Sequence, residues 1–134
     1  MPAIKKILVF GNPLVRKDSL PPLLIEDLKK LFPQIKFKEF DAIEDLQKEG
    51  RKLYLLDAVD GINRVQIITD IDWLVTDKIY SLHDFDLAYT LKLLKKTNKI
   101  DKVSIIGVPT NINKEEALEQ LKQVITSILS SKSD

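Results

Sequence analysis

The chain has 134 residues, with 21 basic and 20 acidic side chains, one histidine and no cysteine. That length fits a single domain spanning residues 1–134, large enough to bury a core. A net charge of +1 gives no reason to expect nucleic acid or an anionic membrane as partner, and the absence of cysteine excludes disulfides, thiolate catalysis and zinc–thiolate sites.

Ile4 to Phe10 reads as a short buried strand, broken by Gly11-Asn12-Pro13. The apolar stretch is only about five residues long, too short for a signal-peptide core or a membrane span, and no other stretch approaches membrane length. A soluble, cytoplasmic protein with no membrane insertion is therefore expected. Asp18 and Ser19 offer N-cap chemistry, and Pro21 and Pro22 suit a helix's first turn. Leu23, Leu24, Leu28 and Leu31 belong to an apolar stripe, so a helix is predicted up to Leu31, with Pro33 ending it.

From Ile35 to Phe40 apolar and charged residues alternate, which predicts a half-exposed second strand. A short helix over Ile43–Glu49, stopped by Gly50, precedes a third, central strand over Lys52–Leu56, closed by Asp57. Asp60-Gly61 marks a turn, and Arg64 to Thr69 is a fourth strand. Asp72 to Tyr80 reads as an irregular loop. A helix starting near His83 and ending near Lys96 carries Leu82, Phe85, Leu87, Ala88, Leu91, Leu93 and Leu94 on its apolar face. Val103 to Gly107 is a fifth buried strand, followed by a loop with Pro109 and Asn111. Asn113 caps a last helix from Lys114 to about Leu129, with a stripe of Ala117, Leu118, Leu121, Val124, Ile125 and Ile128.

Strands alternating with helices predict a three-layer α/β sandwich, with a mostly parallel sheet of about five strands flanked by helices. Ligands in such sheets lie beyond the carboxyl ends of the strands. Asn12, Asp18 and Asp57 follow strands there, and His83 reaches the same edge if the loop before it returns to that side. Each has a plainer reading. Asp18 can be a helix cap, Asp57 a solvated end-of-strand acid, and His83 a surface or capping residue. Together, two carboxylates and an imidazole make an oxygen/nitrogen set suited to a borderline metal ion. The sequence also excludes alternatives. There is no G-x-S-x-G elbow, no phosphate loop, no H-E-x-x-H and no aromatic platform for nucleic acid.

Four segments in order resemble the hydrogenase maturation endopeptidases, which process the C-terminus of the nickel–iron hydrogenase large subunit. They are Leu8-Val-Phe-Gly-Asn-Pro-Leu-Val-Arg-Lys-Asp18, Asp57-Ala58-Val59, Ser81-Leu-His83-Asp-Phe-Asp-Leu, and Ile106-Gly-Val-Pro109. The resemblance covers about residues 4–125. It departs from the family's pattern at Ser19-Leu-Pro-Pro, where glycines are usual, and at Asp41-Ala-Ile-Glu, where a Gly-Gly-Thr-type loop is usual. It implies an aspartyl endopeptidase that removes the C-terminal extension of a nickel-loaded large-subunit precursor. It further implies that Asp18, Asp57 and His83 are the catalytic and metal-contacting residues and that Asn12 helps to position substrate. The nickel would be carried by the precursor, with no organic cofactor. The other reading is a non-catalytic or divergent α/β binding or assembly protein that keeps the fold, its acids serving as caps. A nucleotide-binding domain is disfavoured by the missing phosphate loop.

Overall fold

The computed structural model describes residues 5–10, 20–39, 46, 48–59, 61–69 and 82–130, with the backbone alone over 82–88. In chain order the elements are β1 (Lys6–Val9), α1 (Leu20–Leu31), β2 (Lys36–Glu39), β3 (Lys52–Val59), β4 (Gln66–Ile68), α2 (Leu82–Lys96), β5 (Lys102–Pro109) and α3 (Lys114–Ser130). The strands form one sheet in the order β2-β1-β3-β5-β4. β2, β1, β3 and β5 are parallel, and β4 runs antiparallel along β5 at the edge. The expected sandwich with a mostly parallel five-stranded sheet is therefore observed.

Each face of the sheet carries its own core, because both faces of a parallel sheet must be covered. On one face Ile7, Val9, Phe37, Leu56, Ile106 and Val108 pack against Leu24, Ile25 and Leu28 of α1 and Ala117, Leu121 and Ile125 of α3. On the other, Leu8, Phe10, Leu53, Leu55, Val59, Val103 and Ile105 pack against Leu91 and Leu94 of α2 and against Leu46. The chain reverses its direction across the sheet between β1 and β3. α1 and α2 lie on opposite faces of the sheet.

The helix boundaries follow from local chemistry. α1 starts at Leu20 with both prolines in its first turn, where no N–H is needed. Asn113 caps α3, its Oδ1 accepting from the Glu116 N–H at 2.8 Å. α2 ends in a left-handed residue, Asn98, with φ of 64°. The Lys99 N–H bonds back to the Leu94 carbonyl at 2.8 Å and the Asn98 N–H to Lys95 at 3.1 Å, the paired bonds of a Schellman cap. Arg51 clamps this turn to the start of β3. Its guanidinium donates to both Asp101 carboxylate oxygens, at 2.8 and 3.1 Å, and to the Asn98 carbonyl at 3.0 Å.

Several sequence expectations are corrected. β3 does not stop at Leu56, and β5 does not stop at Gly107. The two strands pair in continuous register from Lys52↔Lys102 to Val59↔Pro109, so Asp57 is the sixth residue of eight and Pro109 ends β5 rather than lying in a loop. A polar residue does not terminate a strand whose neighbours keep pairing, and Pro109 lies beyond the stretch of β5 that pairs with β4, which ends at Gly107, so the strand has an edge there. β4 is shorter than expected. Leu46, Lys48 and Glu49 have 3-10 geometry, and Gly50 has a φ of 120°. On α1, Ile25 is buried while Leu23 and Leu31 are exposed, and on α2 Leu93 is exposed beside Tyr89. The expected loop over Asp72–Tyr80 lies outside the described residues.

Candidate functional site

Alternation along β3 decides where Asp57 points. Leu53, Leu55 and Val59 belong to the core under α2, whereas Leu56 belongs to the core under α1 and α3. Side chains two residues apart share a face, so Asp57 stands on the α2 side. It is not the solvated strand-end acid expected from the sequence, being only 3% exposed. Its neighbours across the sheet follow from the register. Leu8 and Val9 pair with Leu55 and Leu56, and the Phe10 N–H bonds to the Leu56 carbonyl at 2.8 Å, so Phe10 lies one step further on, beside Asp57. Phe10 is fully buried on the same face. On the other side Asp57 pairs with Gly107. Asp57 is thus a buried acid within the sheet, flanked in register by Phe10 and Gly107. Such a residue is a functional candidate before it is a structural one.

β1 and β3 are the strands between which the order reverses, and the crevice beyond their carboxyl ends is where doubly wound sheets bind ligands. Asp57 lies in the carboxyl-terminal half of β3. α2 brings His83 to the same end. Its Schellman cap and the Arg51 clamp hold its last turn at the sheet's amino edge, so the helix runs back antiparallel to β5 and its first turn lies at the carboxyl edge. The rise from Leu94 back to His83 is about 16 Å along a helix, and that from Arg51 to Asp57 about 20 Å along a strand. The first turn of α2, with His83 its second residue, therefore lies towards the carboxyl edge, on the face that carries Asp57.

Asp18 and Asn12 lie outside the described residues, as does the side chain of His83. Among the described residues no three metal-binding side chains gather, and Asp57 alone of the expected set has its side chain among them. Sequence reasoning missed the flanking pair. Phe10 and Gly107 were each read within a motif, but only the parallel register shows that they bracket Asp57.

On this face a second carboxylate lies towards the β2 edge. Glu49, 10% exposed, accepts from Lys6 of β1 and, at 2.9 Å, from Lys38 of β2. The Lys6 hydrogen bond first, and then that of Lys38, hold its carboxyl below the usual value of 4.5. Glu49 bridges two lysines of adjacent strands and joins them to the segment before β3. It is a structural tie, with both its oxygens engaged.

The HycI family model, described as hydrogenase maturation protease, matches residues 38–131. No curated protein matches the chain by sequence. Among solved structures, the chain is similar to that of the endopeptidase HycI from Escherichia coli, at 21% identity and a TM-score of 0.65, with 98% of this chain and 100% of that one covered. It is similar to a crystal structure of the hydrogenase 3 maturation protease, at 23% identity and a TM-score of 0.62, covering 90% and 88% of the two chains. The hydrogenase maturating endopeptidase HybD from E. coli is 19% identical with a TM-score of 0.60, covering 92% and 88%. At these identities the structures show a shared fold.

Proposed function

The chain belongs to the hydrogenase maturation protease family and is a peptidase, and from that premise we propose that it removes the C-terminal extension of a nickel-loaded hydrogenase large-subunit precursor. The observation that carries the reading is the buried Asp57, on the face covered by the helix that bears His83 and near the carboxyl ends of β1 and β3. Asp57, His83 and Asp18, which follows β1 in sequence, contact the nickel that the precursor brings. Carboxylate oxygen and imidazole nitrogen are suitable donors for this ion. Asn12, in the same segment as Asp18, positions the substrate.

In this reading nickel is part of the substrate. Three protein donors from separate segments make an incomplete set, and the precursor's own nickel ligands complete it. The enzyme thereby reads whether the precursor has been loaded before the peptide bond is cut. The bound ion fixes the extension against the two carboxylates, and positioning of this kind lowers the barrier to cleavage. The enzyme acts in the cytoplasm. No helix among the described residues is long and apolar enough to cross a membrane.

His83→Ala tests the assignment. The variant is expected to fold and to leave nickel-loaded precursor uncut on a gel that separates precursor from mature subunit. Processing at the wild-type rate by the folded variant would remove His83 from the site.

A further inference from the structure

Gly107 pairs in register with Asp57 and lies on the same face of the sheet. A β-carbon added there would come 3.0 Å from Val59 Cγ2, 3.2 Å from Ile68 Cδ1 and 3.3 Å from Ile62 Cδ1. All three neighbours are buried in the core under α2. They close over the place where a side chain at residue 107 would stand, and so form an apolar wall on the β5 side of Asp57. On the β1 side Phe10 forms the other wall.

We propose that Gly107 is a positioning residue for Asp57: by carrying no side chain, it lets Val59, Ile62 and Ile68 close beside the carboxylate and sets the line of β3 through residues 57–59. The inference rests on the reading of Asp57 as a residue of the reaction. The three contacts are unequal. The isoleucine Cδ1 atoms are the far ends of side chains that can turn aside. Val59 is β-branched, with one torsion and a restricted choice of rotamers, so its Cγ2 turns aside less readily than they do. An alanine at 107 therefore acts through Val59, two residues beyond Asp57 on the same strand, and displaces the carboxyl end of β3. Misplacement of a reacting group by a fraction of an ångström to one ångström is enough to slow catalysis, without changing the surface the substrate first meets.

The test uses the full chain and nickel-loaded precursor, with Gly107→Ala, Val59→Ala, the double variant and Asp57→Asn compared by kcat, KM and melting midpoint. Gly107→Ala is expected to lower kcat by about tenfold or more, with KM within about twofold of wild type. Val59→Ala removes the Cγ2 atom that the new β-carbon meets, so the double variant is expected to return to within about threefold of the Val59→Ala rate. The melting midpoint separates misplacement from a general loss of stability: Gly107→Ala is expected to lose rate while it remains folded at the assay temperature. Wild-type kcat for Gly107→Ala, beside an inactive Asp57→Asn, would overturn this inference alone. So would a double variant as slow as Gly107→Ala. If Gly107→Ala does not fold, the double variant must fold and cleave at the Val59→Ala rate, and its failure to do either overturns the inference. An Asp57→Asn variant with full activity would overturn the reading of Asp57, and this inference with it.

Discussion

Replacing Asp57 by asparagine separates what the residue does for the reaction from what it does for the fold. The substitution keeps the shape and a hydrogen-bonding oxygen, so it opens no cavity among Phe10, Leu55 and Val59. It removes the carboxyl group from a site that is 3% exposed. A neutral amide costs less to hold there than a carboxylate does. The expected change is within about 1 kcal/mol in either direction, a melting shift of no more than about 4 °C for a domain of this size. Loss of a carboxylate that contacts the reacting centre costs about 10²–10⁴-fold in rate. Thermal denaturation measures the first quantity, and gel conversion of nickel-loaded precursor to mature subunit measures the second. A variant that melts like wild type and cleaves like wild type would refute the role of Asp57. A variant that unfolds would refute the argument that the acid serves the reaction at the fold's expense.

Two further outcomes concern the scaffold. Glu49 has its carboxyl held low by Lys6 and Lys38, so its contribution to stability is present above the ordinary carboxyl range and is lost as pH falls through the depressed value. Urea midpoints of wild type and Glu49→Gln should differ at pH 7 and converge in acid below the usual 4.5; a gap independent of pH would contradict the charge argument. Asn113→Ala removes the cap of α3 and should cost about 1 kcal/mol, a fall of about 4 °C in melting midpoint with cleavage unchanged.

The layers were legible in the sequence wherever a hydrophobic period was long. The stripe of Ala117, Leu121 and Ile125, the prolines of α1 and the apolar runs of β1, β3 and β5 each named their element and its buried face. Strand ends were less legible. Asp57 and Pro109 read as stops because polarity and a missing N–H end strands in isolation, yet β3 and β5 pair through both residues. The antiparallel direction of β4 and the exposure of Leu23, Leu31 and Leu93 depend on which neighbours arrive, and short local patterns do not carry that information. The importance of Asp57 was read from its neighbours in sequence. Its burial, and its place between Phe10 and Gly107, are consequences of register. The expectations for Asn12, Asp18 and the His83 side chain fall outside the described residues.

The central claim is that the peptidase reads nickel on its substrate, and one comparison tests it most directly. The same purified precursor is prepared with and without nickel, and each form is incubated with an excess of enzyme. The account predicts conversion of the loaded form to mature subunit and no conversion of the metal-free form. Equal cleavage of both would contradict it.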